Sequence, residues 1–336
     1  MRRSKTIILR DLAMELGVSV STVSRAISNS GRVSQSTRER VLKAVKEANY
    51  TPNDVARSLR KQNAMSIGII VTDITNSFFS SVIKGAQSFS RGRGYSILLS
   101  NSDENELFEA EAMQLMLEKQ VSGLILASVG NNKDKIRKFG SLGIPIVFID
   151  NIPASEGQYD TVTTDNHKAA SLLAGKLIRK GYRGIGMITG PLNQSSGRQR
   201  YEGFLSAMAE NGLEVRPEWV REGDFKVQSG LQCMSDILSL PSYPRAVIIS
   251  NNYMTYGAVR AIKAAGKTIP GDIAVAAFDT EDITALVSPV IASMNQAAED
   301  IGERAAELLI SRMDTAGTKP SVTLILDPLF QDGNSW

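Results

Sequence analysis

Val18-Ser-Val-Ser-Thr-Val-Ser-Arg25 decides how the front of this 336-residue chain folds. It follows a short amphipathic segment, Leu9-Arg-Asp-Leu-Ala-Met-Glu-Leu16, closed by Gly17, a residue suited to the left-handed geometry of a helix stop. Ser19 is placed to cap a second helix by accepting the amide of Thr22. Val23 and Ile27 can pack inward, leaving Val20, Ser21, Ser24 and Arg25 to face outward. Two short helices joined by a tight glycine turn, the second slim enough for a major groove, make a helix-turn-helix.

The charge distribution agrees. Residues 1–62 carry 13 Lys or Arg against 5 Asp or Glu, whereas the remaining 274 carry 25 against 30. The overall +3 therefore hides a basic head on a mildly acidic body. A small basic module seeks a phosphate backbone, and an acidic body does not.

The head continues through Ser34, an N-cap, into a third helix whose apolar stripe is Val41, Leu42, Val45 and Ala48. Tyr50-Thr-Pro52 ends it. Asn53 to Arg60 has the length of two more helical turns with Asn53 as cap, too short to stand alone in water. It would need DNA or its own copy as a partner. From Met65 short apolar runs alternate with amphipathic helices. Strands are expected at 66–71, 95–100, 123–127 and 145–149, then again at 184–189, 219–222, 246–250 and 273–278. The fold class is α/β, with two doubly wound parallel sheets, since this series occurs twice. Segments 291–294, 297–313 and 323–326 cross back between the two halves.

Length suits two or three compact units. No run of eighteen apolar residues occurs, so no membrane partner is expected, and the segment behind Arg2, Arg3 and Lys5 is too short for an export signal. The single cysteine, Cys233, reads as a packing residue of a helix at 226–239, and a cytoplasmic location follows from these readings.

Ligands of open parallel sheets bind beyond the carboxyl ends of the strands. The residues just past those ends are Asp73 with Phe78 and Phe79, Asn101, Asp150, Asp165, Arg198, Arg200, Asp224 with Phe225, Asn251, Asn252 and Asp279. Carboxylates, amides, an arginine fork and aromatic faces suit a sugar or another small polyhydroxylated or heterocyclic molecule. Catalysis finds little support. His167 is the only histidine and has no metal-spaced neighbours; no nucleophile elbow or phosphate loop occurs, and Asp103 with Glu104 reads as a solvated turn. No metal and no cofactor is expected, and the chain reads as no enzyme.

Taken together the chain resembles the bacterial LacI/GalR repressors over essentially its whole length. The matches include Val18–Arg25, Gly31-Arg-Val-Ser34, Thr37-Arg-Glu-Arg-Val41, Tyr50-Thr-Pro-Asn53, Val55-Ala-Arg-Ser-Leu59, Gly190-Pro-Leu192, Gly203-Phe204, Gly223-Asp-Phe225 and Ala277-Phe-Asp279. The resemblance implies a helix-turn-helix head over residues 1–52, a hinge helix or linker over 53–62, and a two-lobed periplasmic-binding-protein-like body over 63–336. Lobe 1 would take about 63–162 and 292–320, lobe 2 about 163–291 and 321–336. It implies a homodimer on a near-palindromic operator; no leucine heptads follow residue 320, so no coiled-coil tetramer is expected. Val20, Ser21 and Arg25 would read base edges, while Ser19, Thr22, Ser24 and Arg32 would hold phosphates. Asn53, Ala56 and Leu59 would contact DNA from the hinge, Leu59 as the minor-groove wedge.

For the effector, the resemblance puts Phe79, Arg200, Phe225, Asn251 and Asp279 in the cleft with Asp150 and Asp165 nearby. Phe78, Asn101 and Asn252 are further candidates, and Gln194 and Ser196 occupy cleft-loop positions that vary. The family's usual Asn-Asp is Asn251-Asn252 here. The implied function is a ligand-responsive repressor of a carbohydrate operon. The alternatives are a solute-binding protein or a sugar or nucleotide enzyme without a DNA role.

Overall fold

The computed structural model describes residues 9–27, 31, 33–48, 65–130, 132–153, 159–280, 288–314 and 320–336. The chain divides into two compact units, 1–62 and 63–336. The expected hinge contacts Asn53, Ala56 and Leu59, and the phosphate contact Arg32, lie outside the described residues.

In the first unit α1 (Leu9–Glu15) and α2 (Val20–Ile27) are separated by Gly17 at φ +66°. Ser19 Oγ accepts from Thr22 N at 3.1 Å and so starts α2 as its cap. Helix α3 (Gln35–Glu47) begins where Ser34 Oγ accepts from Thr37 N at 3.3 Å. Leu12, Ala13, Val23, Ala26 and Val41 make the buried centre of this small core. Leu42 does not join it and is 45% exposed. Consecutive helical residues diverge by about 100°, so Val41, Ala44, Val45 and Ala48 share the inward face and Leu42 falls outside it. Arg40 Nη2 donates to Leu16 O at 3.2 Å, tying α3 to the glycine turn.

The second unit holds two six-stranded sheets. The first contains β1 (Ser66–Val71), β2 (Ser96–Asn101), β3 (Gly123–Leu126), β4 (Ile146–Ile149) and β5 (Asp160–Thr164). The second contains β6 (Ile185–Thr189), β7 (Val220–Glu222), β8 (Ala246–Ile249), β9 (Ala274–Phe278) and β10 (Ala292–Asn295). Strand β11 (Thr323–Leu326) completes the first sheet and β12 (Leu329–Gln331) the second, giving orders β11-β5-β4-β3-β1-β2 and β12-β10-β9-β8-β6-β7. All pairings are parallel except β10 with β12.

Helices cover both faces of each sheet, which is why β1, β3, β6, β8 and β9 are nearly continuous apolar runs. On the first sheet α4 (Ser77–Arg91) and α11 (Ala298–Met313) take one face, α5 (Glu106–Glu118) and α6 (Lys133–Ser141) the other. On the second sheet α7 (Asn166–Arg179) and α8 (Ser195–Glu210) share one face, α9 (Val227–Leu238) and α10 (Asn252–Ala264) the other. Helices α4 and α11 touch backbone to backbone: a β-carbon on Gly85 would stand 2.0 Å from Glu299 O, and one on Gly302 1.9 Å from Val82 O.

Two expectations need correction. Strand β10 pairs with β9, placing residues 292–295 in lobe 2, and β11 pairs with β5, placing 323–326 in lobe 1. The chain thus crosses three times between the lobes, after β5, after β10 and after β11. Strands β5 and β12 carry no apolar run in the sequence. Strand β5 is built from Asp160-Thr-Val-Thr-Thr164, whose β-branched threonines suit a pleated surface although their hydroxyls read as polar. Arg312 holds its start, with Nε and Nη2 2.7 and 2.6 Å from the two Asp160 carboxylate oxygens.

Candidate functional site: an inter-lobe cleft and a helix-turn-helix face

The loops at the carboxyl ends of both sheets surround a narrow recess of about 40 Å³. Lobe 1 contributes Thr72, Asp73, Asn76, Phe78, Phe79, Glu104 and Asp150; the lining from the other side is Ser196, Arg200, Phe225, Lys226, Asn251, Asn252 and Asp279, with Gln296 at the crossover.

Arg200 projects from the first turns of α8 and is buried. Its Nε donates to Asn166 Oδ1 at 2.8 Å, and its Nη1 donates to Ser250 O. The guanidinium carbon lies 4.4 Å from the Phe278 ring centroid. Nη2 has no hydrogen-bond partner in the protein, so one nitrogen of the fork remains for a ligand. Asp279, at φ +57°, accepts from Gln296 N and Gln296 Nε2, both at 2.9 Å. Gln296 Oε1 is also unpartnered.

Asp150 leaves β4 in the left-handed region, φ +57°. Burial pushes its carboxyl up to about 7; Arg200 opposes this, and Glu104 and Asp279 add to it. Burial likewise raises Glu104, against hydrogen bonds from Thr72 and Gln194. The recess thus gathers four carboxyl groups around Arg200 and Lys226. Phe78 and Phe79 meet edge to face at 4.9 Å. Phe225 has φ +65°, and its ring occupies the place a side chain at Gly190 would need.

Of the residues expected in the cleft, Phe78, Phe79, Asp150, Ser196, Arg200, Phe225, Asn251, Asn252 and Asp279 line the recess. Three are elsewhere. Asn101 is exposed and its Oδ1 accepts from Ile74 N at 2.9 Å, holding the loop after β1. Asp165 caps α7, accepting from Lys168 N at 2.9 Å. Gln194 lies beside the recess and bridges the lobes, donating to Glu104 Oε2 at 2.9 Å and accepting from Asn151 Nδ2 at 2.8 Å. Arg198 pairs instead with Glu202, at 3.9 Å, and Asp224 accepts from Lys226 N within its own turn. Glu104 corrects the solvated-turn reading: the turn swings it into the recess at φ +57°, while Asp103 stays exposed, 3.4 Å from Lys226 Nζ. Thr72, Asn76, Lys226 and Gln296 carried no signal in the sequence beyond their proximity to strand ends. Asn251 is committed locally, its Oδ1 accepting from Met254 N and its Nδ2 donating to Phe225 O.

On the first unit, Ser19, Val20, Ser21 and Arg25 are exposed on α2 and the turn before it, and Thr22 and Ser24 are half-buried. The Arg25 stem passes over Gly31, where a β-carbon would stand 3.2 Å from Cδ. Among the described residues no His, Cys, Asp or Glu cluster could hold a metal ion, and no helix is long and apolar enough to cross a membrane.

Residues 8–53 match the family described as bacterial regulatory proteins, lacI family, and residues 64–332 match periplasmic binding proteins and sugar binding domain of LacI family. The chain is 32% identical to the HTH-type transcriptional repressor PurR of Pasteurella multocida (strain Pm70), over 94% of both chains. It is also 32% identical to the ribose operon repressor of Escherichia coli (strain K12), over 97% of this chain and 99% of that one. The solved lac repressor dimer bound to operator and the anti-inducer ONPF superimposes with a TM-score of 0.87 at 25% identity, over 98% of this chain and 99% of that one. Two sheets with cleft-facing loops, a three-helix head and matches to both regions lead to one assignment: the chain belongs to the LacI family of bacterial regulatory proteins.

Proposed function

We propose that this ligand-responsive DNA-binding regulator works as a homodimeric repressor of a carbohydrate operon, binding a near-palindromic operator through the α2 face and a small sugar in the inter-lobe cleft. Residues 1–52 form the DNA-reading head, 53–62 the hinge and 63–336 the effector and dimerisation body. Ser21 and Arg25 read base edges, and Ser19 and Thr22 hold register on the phosphates.

The observation that carries the effector reading is Arg200: a buried fork with two nitrogens committed to protein and a third unpartnered, flanked by Asp150 and Asp279. A donor between carboxyl groups matches vicinal hydroxyls, and the Phe78, Phe79 and Phe225 rings offer apolar faces to a sugar ring. The resemblance to PurR makes purine bases the second class to screen.

A gel shift on the DNA flanking the chain's own gene, with and without Arg25→Ala, tests the DNA arm. Sequence-specific retardation lost in the variant supports it, and no specific binding up to micromolar protein overturns it. Thermal shift with neutral sugars and purine bases, with and without that DNA, tests the effector arm.

A further inference from the structure

Asn76 and Asn252 face each other across the cleft, one from each lobe. Asn76 caps α4, its Oδ1 accepting from Phe78 N at 3.0 Å. Asn252 is the first residue of α10, its Oδ1 accepting from Tyr253 N at 2.8 Å. Those two backbone donors settle which end of each amide is oxygen. Each NH₂ must then point outward, and each points at the other residue. Asn76 Nδ2 donates to Asn252 Oδ1 at 3.1 Å, and Asn252 Nδ2 donates to Asn76 Oδ1 at 3.0 Å. Asn252 Nδ2 also lies 3.2 Å from Ser77 Oγ, and Thr75 Oγ1 lies 3.0 Å from Tyr253 Oη beside it. Both asparagines are buried, at 8% and 1% exposure.

We propose that this reciprocal amide pair is a clasp that holds the two lobes shut through the protein's own side chains, independently of any effector. The inference rests on reading the recess as the effector site. Other groups bridge the lobes, Gln194 among them, but among the described residues only this pair is locked at both ends to a helix N-terminus. Relative movement of α4 and α10 therefore breaks both bonds together, which makes opening a two-state event rather than a gradual one. The pair also lines the recess, so an effector entering it competes with or reinforces the clasp directly.

Asn252→Asp is the informative variant. The carboxylate keeps the bonds from Tyr253 N and Asn76 Nδ2, but its second oxygen replaces a donor 3.0 Å from Asn76 Oδ1, which cannot turn away while it caps Phe78 N. A carboxylate in the first turn of α10 is meanwhile favourable to the helix. At alkaline pH, where the new carboxyl is ionised and cannot donate to Asn76 Oδ1, the clasp should weaken. Asn252→Leu removes every bond at similar volume.

The test is the distance between spin labels at Leu142→Cys and Glu210→Cys, two exposed positions on different lobes, in a Cys233→Ala full-length background diluted with unlabelled chain, at alkaline pH and without added sugar. The unsubstituted pair should give one narrow, short distance, and both Asn252 variants a longer, broader distribution. The same short distance in all three, or a broad distribution with Asn252 intact, overturns the clasp. Because no effector is added, the outcome stands apart from whether a sugar binds.

Discussion

Arg200 Nη2 lies 3.8 Å from Asp279 Oδ2, too far for a hydrogen bond, while both side chains are nearly buried. The gap is a consequence of anchoring. Asn166 and Ser250 hold the guanidinium in place, and Gln296 holds both carboxylate oxygens of Asp279. A ligand hydroxyl that joins the unpartnered donor satisfies a group the fold leaves unsatisfied.

Arg200→Met should therefore abolish the response to effector and also destabilise the body. Removing one partner from a buried charged pair costs on the order of 3–5 kcal/mol, because Asp279 and the Asn166 and Ser250 acceptors remain. Urea unfolding of the variant reads the stability, and an operator-binding titration with the effector reads the response. Unchanged stability would mean the guanidinium is not the anchor described here.

The elevated Asp150 carboxyl sets a pH dependence. Its folded value, about 7, stands above the ordinary carboxylate value of about 3.9, so the native state holds its proton where the unfolded chain has lost it. Its contribution to stability is complete below about pH 4 and is lost as pH rises through about 7. Glu104 shifts in the same direction. Asp150→Asn should flatten the decline between about pH 4 and 7, as followed by urea unfolding at each pH. A profile unchanged by the substitution counts against a neutral Asp150.

Gly190→Ala would place a β-carbon 2.0 Å from Phe225 Cζ. The ring must leave its position, with a cost of about 1–3 kcal/mol for overpacking. Effector affinity should fall with it, whereas DNA binding in the absence of effector should persist. Calorimetric titration of Gly190→Ala against the unsubstituted chain separates the two effects.

Ser19→Ala removes the cap of α2 and should lower the stability of the head by about 1 kcal/mol, with specific DNA binding weakened as α2 frays. Arg25→Ala, exposed on the same helix, should weaken specific binding by about 1–3 kcal/mol and leave melting unchanged. Thermal melts beside gel shifts distinguish a lost cap from a lost base contact.

Glu109→Ala tests a carboxylate of α5 that lies outside the recess. It is fully buried, accepting from Val129 N at 2.6 Å, Asn132 Nδ2 at 2.8 Å and Ser128 Oγ at 3.2 Å. Without it those donors lose their acceptor, and destabilisation of about 1–3 kcal/mol by urea unfolding is expected. A neutral outcome would indicate that the loop after β3 holds itself.

Local chemistry by itself determined the helices of the head, the apolar strands and the type of residue waiting at their ends. A glycine stop, a serine cap and a four- to six-residue apolar run each act within a few residues, so they can be read without the rest of the chain. Only the tertiary structure decided which sheet each crossing strand joins, because neither Ala292-Ser-Met-Asn295 nor Thr323-Leu-Ile-Leu326 carries a local mark of its destination. It alone turned Glu104 into the recess and Asn101 and Asp165 away from it, and brought Asn76 to Asn252 from 176 residues apart. Burial and long-range partners, which no local pattern encodes, set those outcomes.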